Sequence, residues 1–233
     1  MATYNLEQQE QLDNVKHIWK KYGNLVTWTL VAALAAYAAW TGYLYWQNDR
    51  AMKAGGLYEE LDRAAMQNDA DRVTRVFGDL KDKYPGTTFA EQGALLAARI
   101  QQDKAKDEAA RASLQWLADN GKNEDLAAIA RLRLAGLLLD AKQYDAALKQ
   151  LDAEIPAEFK ALALDRRGDV QSAQGKKAEA LKSYQEAWKL MSPDVEYRRF
   201  IEGKLTALGE PPAAAPNLTG AAAGTPPGLA PTR

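Results

Sequence analysis

The chain has 233 residues, 47% of them hydrophobic, and its 30 Lys and Arg against 31 Asp and Glu give a net charge of −1. With both signs interspersed, there is no basic field to hold nucleic acid. Cysteine is absent and histidine occurs once, which excludes disulfides, thiolate metal sites and cysteine nucleophiles and leaves only a poor set of metal ligands.

Residues 1–21 form a polar leader in which Lys16, Lys20 and Lys21 follow Glu7, Glu10 and Asp13. His17 lies beside Lys16 with no partner near in sequence, so it reads as a solvated interfacial residue rather than a catalytic base. Leu12, Val15 and Trp19 share one helix face, which suits interfacial anchoring or a partner. Residues 22–48, from Tyr22 to Asn48, contain no charged side chain. The apolar centre from Leu25 to Trp46 is roughly 33 Å long as a helix, against a hydrocarbon core of about 30 Å. Trp19, Tyr22 and Trp28 near one end, and Trp40, Tyr43, Tyr45 and Trp46 near the other, sit where interface anchors belong. Ala33-Leu34-Ala35 and Ala36-Tyr37-Ala38 have the form a signal peptidase accepts, but the apolar run continues well past both. An uncleaved transmembrane signal anchor is the better reading. The lysines before it outnumber Arg50 and Lys53 after it, a slight bias toward a cytoplasmic N-terminus and an exported C-terminal part.

Residues 49–208 are rich in Ala, Leu, Lys, Glu, Gln and Arg and poor in β-branched residues, so helix is expected throughout. Breaks are expected at Gln67-Asn68-Asp69, Tyr84-Pro85-Gly86, Asp119-Asn120-Gly121, Ile155-Pro156, Gln174-Gly175 and Ser192-Pro193. They leave helices of about 12–18 residues with short connections, the spacing of an αα-hairpin array. Residues 209–233 hold six prolines among Ala, Gly and Thr and almost no bulky apolar side chain, and are expected to be disordered. Asn217-Leu218-Thr219 matches a glycosylation sequon, a pattern short enough to arise by chance.

Self-similarity near 34 residues marks a tetratricopeptide array. In the clearest unit, from Ala161 to Pro193, Gly168, Gly175, Ala180, Tyr184 and Ala187 fall at repeat positions 8, 15, 20, 24 and 27. Arg167 takes the usual leucine position 7, which suggests a partly solvent-facing last unit. The preceding unit places Leu134 and Ala135 at 7 and 8, Tyr144 at 17, Ala147 at 20 and Leu151 at 24, with Pro156 cutting its second helix short. A looser unit starts from Leu96-Ala97 at 7 and 8 and carries Leu114, Trp116 and Leu117. The first unit has Leu61, Val73, Phe77 and Pro85 at 8, 20, 24 and 32. The expected fold is all-α: a single N-terminal transmembrane helix followed by a short tetratricopeptide-type α-solenoid of about four helix pairs.

No phosphate loop or nucleophile elbow is present, and carboxylates such as Glu59, Glu60 and Asp62 sit among basic residues as a solvated face. The reading is a non-enzyme with no cofactor. In a tetratricopeptide unit, positions 2, 5, 9 and 12 of the first helix line the concave surface. That assigns Glu91, Ala94, Ala98 and Gln101; Ile129, Leu132, Gly136 and Leu139; and Leu162, Asp165, Asp169 and Ser172. From Leu126 to Leu139 only Arg131 and Arg133 interrupt an apolar surface. Either this is a central helix buried on several sides or it forms a groove for an unfolded segment or partner helix.

Glu10-Gln11, Val15-Lys16, Trp19-Lys20 and Gly23 in the leader, Gly42-Tyr43 and Trp46 in the span, and Arg166-Arg167-Gly168-Asp169 with Gly175-Lys176 carry a resemblance in their order and spacing. The chain resembles the ancillary subunits of the bacterial SecYEG translocon, a YfgM-like family. The resemblance covers all but the tail. It implies a single-pass, membrane-embedded protein of the inner membrane with its repeats in the periplasm. It also implies association with the SecYEG translocon and with periplasmic chaperones that receive exported polypeptides. A membrane-tethered assembly factor for another envelope complex, such as one for cytochrome maturation, is the alternative, and a regulator signalling through its leader is a third.

Overall fold

A computed structural model describes residues 6–211, and side chains continuously from Trp19. Helix α1 (Leu6–Met66) is 61 residues long and runs unbroken across the leader, the apolar segment and the entry to the repeats. Its apolar stretch has no tertiary partner. Trp28 is 67% exposed and Leu30 60%, as on a helix long and apolar enough to cross a membrane. From Ala54 onward the same helix buries Ala54, Leu61, Ala64 and Ala65. The tail beyond Pro211, including Asn217, lies outside the described residues, as do the side chains of Leu12, Val15 and His17.

Eight further α-helices follow: α2 (Ala70–Lys83), α3 (Thr88–Asp103), α4 (Asp107–Asn120), α5 (Glu124–Asp140), α6 (Tyr144–Leu151), α7 (Lys160–Ala173), α8 (Lys177–Leu190) and α9 (Arg198–Ala207). No strand occurs among the described residues. Five of the six expected breaks fall between helices, and the sixth, Asp119-Asn120-Gly121, spans the end of α4 at Asn120. Several are made by side chains that satisfy the free N–H groups of the next helix. Asp69 accepts from the Arg72 N–H, Thr87 from Ala90, and Asn123 from Asp125 and Leu126. Two further breaks, at Ala105 and Lys142, carry no glycine, proline or asparagine signal.

Those two residues belong to a repeating turn. Asn68, Ala105, Lys142 and Gly175 have φ of 55°, 54°, 59° and 77°, the left-handed conformation that ends a helix. At each, the next residue's N–H donates five residues back: Asp69 to Ala64 O, Lys106 to Gln101 O, Gln143 to Leu138 O and Lys176 to Gln171 O, at 2.7–3.1 Å. One turn geometry therefore joins the two helices of every pair: the end of α1 with α2, α3 with α4, α5 with α6, and α7 with α8. Aligning these turns confirms the expected registers of the first, third and fourth units and moves the second forward by one residue.

Small residues let the helices close. Ala94, Ala97, Ala98, Ala110, Ala128, Ala135 and Ala147 are fully buried, and Leu61, Leu80, Leu114, Leu117 and Leu134 fill the space between them. Burying each such leucine stabilises by about 1.5–3 kcal/mol. A Cβ at Gly168 would strike the ring of Tyr184, so only glycine allows α8 to lie this close to α7. Helix α6 is only 8 residues long, ending before Pro156 as its sequence requires. Arg167 does not face water freely: it donates to the carbonyl of Leu151 at 3.2 Å and to Asp152 at 2.6 Å, tying the last pair to the short helix before it. Helix α9 then packs Ile201 and Leu205 into a second apolar cluster with Ala161, Ala180, Tyr184 and Ala187.

Candidate functional site

The first helices of the pairs, α3, α5 and α7, line one side of the array. On α3 the sequence assignment needs correction. Glu91 is 3% exposed and accepts from the N–H groups of Lys122 and Asn123, holding the entry to α5. Gln101 is 1% exposed; it donates to Thr74 on α2 and accepts from Ser113 on α4, both at 2.9 Å. Ala94 and Ala98 are core residues. With the register moved by one residue, the outward set is Gln92, Leu95, Arg99 and Gln102, all exposed or half-buried. One residue turns the face by about 100°. Consecutive small residues at 97 and 98 fit the small position equally well, so composition did not distinguish the two registers.

On α5, Ile129, Leu132, Gly136 and Leu139 are half-buried. Leu132 and Leu139 rest one side on the core, while Ile129 lies outside that cluster. Both readings of this apolar helix hold in part: Ala127, Ala128, Ala130, Leu134, Ala135, Leu137 and Leu138 are buried, and the assigned face remains partly open.

On α7 two of the assigned residues, Asp165 and Asp169, are covered by the chain itself. Asp165 is 1% exposed; both its oxygens accept from Lys204 Nζ at 2.8 Å, and Oδ2 accepts from the Tyr197 hydroxyl at 2.8 Å. Asp169 Oδ1 accepts from Tyr184 at 2.9 Å and pairs with Lys204 at 2.7 Å, while Arg166 lies 3.3 Å from its other oxygen. Burial, and next the hydrogen bond and charge of Asp165, push the Tyr197 phenol up to about 12. Burial and then the charge of Asp169 drive the Tyr184 phenol higher still. Leu162 packs on the second apolar cluster and Ser172 is exposed. A partner reaches Asp165 only if α9 leaves.

Two hollows mark the open part. One, of about 380 Å³, is lined by Arg99 and Gln102 of α3, Arg133, Gly136 and Asp140 of α5, and Arg166 of α7. The other, of about 230 Å³, is lined by Leu132, Arg133, Leu162, Asp165, Arg166 and Tyr197. None of the three arginines was among the assigned contact residues. The sequence did flag Arg133 as an interruption of an apolar helix and Arg166 within Arg166-Arg167-Gly168-Asp169.

A long apolar helix joined to stacked helix pairs with an open face defines a helical-repeat protein. Residues 16–210 match the tetratricopeptide repeat-like domain family. An ancillary SecYEG translocon subunit of Neisseria gonorrhoeae is 33% identical over 88% of this chain and 98% of its own length. Proteins of the same name from Haemophilus influenzae and Escherichia coli are each 26% identical, over 79% and 76% of this chain and 90% and 85% of their own. No solved structure matches the chain. The chain belongs to the family of ancillary SecYEG translocon subunits, with a tetratricopeptide-like domain. That family and fold point to an accessory scaffold rather than a catalyst, and the apolar helix is consistent with a single-pass membrane protein.

Proposed function

We propose that this chain is a non-enzymatic inner-membrane scaffold that associates with the SecYEG translocon and links it to periplasmic chaperones handling exported polypeptides. The observation that supports this most is the open face over α3 and α5, on a chain that shares 33% identity with an ancillary translocon subunit along nearly all of that relative's length. In this reading the leader is cytoplasmic, residues 22–48 cross the bilayer and the repeats are periplasmic. Lys20 and Lys21 on the leader side favour that orientation. On the other side, Arg50 stacks 4.7 Å over the Trp46 ring and Lys53 pairs with Asp49, as residues settling at an interface do.

The test is copurification of the full chain from mild detergent, with identification of what comes with it. Ile129→Glu, Leu132→Glu and Leu139→Glu put a charge on the open face, and a desolvated apolar contact at an interface centre is worth more than about 1 kcal/mol. Loss of translocon and chaperone partners is expected while helicity persists. Leu132 and Leu139 also touch the core, so Ile129→Glu is the cleaner variant. Recovery of a different envelope complex in their place refutes the reading. Protease added to spheroplasts should digest the repeats and spare a small N-terminal fragment.

A further inference from the structure

We propose that the arginine cleft and its neighbouring apolar hollow form one recognition site for an extended polypeptide segment that carries an acidic side chain close to an apolar one. The proposal deepens the scaffold reading and rests on it for its biological setting, though its test does not.

Arg99, Arg133 and Arg166 come from three successive first helices and line a single cleft in a chain of net charge −1. Among the described residues, neither Arg99 nor Arg133 has an ion-pair partner, and neither side chain makes a hydrogen bond. Arg166 is held only by one oxygen of Asp169, whose other oxygen is already taken by Lys204 and Tyr184. Asp140 is the only acid lining the cleft. Three like charges gathered against fewer counter-charges repel one another and raise a local field for anions. The cleft is also kept open: position 136 is a glycine, and a Cβ there would already lie 3.8 Å from the Arg166 guanidinium carbon. Any longer side chain would fill the space.

What decides the occupant is the second hollow. Arg133 and Arg166 line both spaces, so the basic cleft and the pocket of Leu132, Leu162, Tyr197 and Asp165, whose carboxylate is already taken by Lys204 and Tyr197, share a wall. An inorganic anion or a lipid headgroup would use only the first. A polypeptide uses both, because side chains two residues apart on an extended strand lie on one face, roughly 7 Å apart. Guanidinium forks bind carboxylates through paired hydrogen bonds. Tyr197 adds an aromatic wall to the apolar side.

The experiment is fluorescence anisotropy with the full chain in detergent micelles. Labelled Gly/Ser-based peptides bear repeated Leu-Ser-Glu, Leu-Ser-Gln or Ser-Ser-Glu. The Leu-Ser-Glu peptide should bind best, and loss of either its acid or its leucine should weaken binding by about tenfold. Arg99→Gln with Arg133→Gln should weaken it by a similar factor without moving the melting temperature, since both side chains are exposed. Gly136→Leu should block it sterically, and Arg75→Gln on α2 should leave it unchanged. Equal binding of the three peptides, or wild-type affinity in the double variant and in Gly136→Leu, overturns the proposal. So does arginine-dependent binding of inorganic phosphate or phosphatidylglycerol vesicles without binding of the peptides. Copurification of the translocon is measured on the same proteins. Peptide binding without translocon recovery would sink the scaffold reading and leave the site, and the reverse result would sink the site alone.

Discussion

Over α3 and α5 the array presents Gln92, Arg99, Arg133 and Gly136 to solvent, whereas over α7 the central residues of the equivalent face, Asp165 and Asp169, are covered by α9 and its entry. The two regions share one helix-pair geometry and one turn, yet their polar residues do different work. Asp165 and Asp169 occupy the same repeat positions, 5 and 9, as Leu132 and Gly136, but they anchor the terminal helix through Lys204 and Tyr197, and Asp169 also ties α8 through Tyr184. An array must end, and its last first-helix needs a cover for surface that another repeat would otherwise bury. A position that is a contact residue in one unit is thus a cap anchor in the last.

The contrast breaks most visibly if the cap can be loosened without cost. Lys204→Met leaves the Asp165 carboxylate buried beside Tyr197 alone, and should destabilise the chain by about 3 kcal/mol in denaturant titration. Converting Asp165 to Leu as well should recover much of that loss. Arg133→Gln, on the open half, should change stability by less than about 0.5 kcal/mol. If Lys204→Met is as silent as Arg133→Gln, the two halves do not differ as described.

Packing beneath the cap sharpens the comparison next. Ala180→Leu inserts bulk where no space remains, and Gly168→Ala drives a methyl into Tyr184; each should cost about 1–3 kcal/mol. Gly203→Ala, exposed on α9 with nothing near its added methyl, should instead raise the melting temperature, a gain of about 0.5–1 kcal/mol. A silent Gly168→Ala would mean that α8 can move away from α7.

The remaining effect is on pH. Tyr197 stays protonated in the folded chain up to about 12, above the ordinary phenol value of 10.0. Between these values the unfolded chain gives up the proton first, so it binds fewer protons and stability falls as pH rises. Melting temperature should therefore drop more steeply from pH 10 to 12 in the wild type than in Tyr197→Phe. Parallel curves would show that the hydroxyl does not couple the cap to Asp165.

Much of this fold was legible because the signals were local. The early Pro156 and polar breaks such as Gln67-Asn68-Asp69 act within one turn of their position, and Gly168 and Ala180 stand at fixed spacings in one repeat. The second unit's register was not, because buried alanines at 97 and 98 are interchangeable to a pattern of small residues. Only the left-handed turn at Ala105 distinguishes them, and alanine does not advertise a positive φ. The turn at Lys142 was hidden in the same way. At the candidate site, the α5 positions Ile129, Leu132, Gly136 and Leu139 were assigned from the repeat register, which the turn at Lys142 matches. The cap was not legible, because Lys204 lies 39 residues from Asp165 and their pairing depends on how the last helix folds back. The arginine cleft was hidden too, since its three members are spread over α3, α5 and α7.

The unbroken course of α1 has a geometric consequence. With no turn between Trp46 and Ala54, the bearing of the open face about the axis of α1, relative to the apolar segment, is set by residue count. One residue inserted there would swing the whole array by about 100° and lift it about 1.5 Å, while seven would nearly restore its heading about 10 Å higher. A partner gripping both the apolar segment and the repeats would therefore respond to compass direction as well as to chemistry.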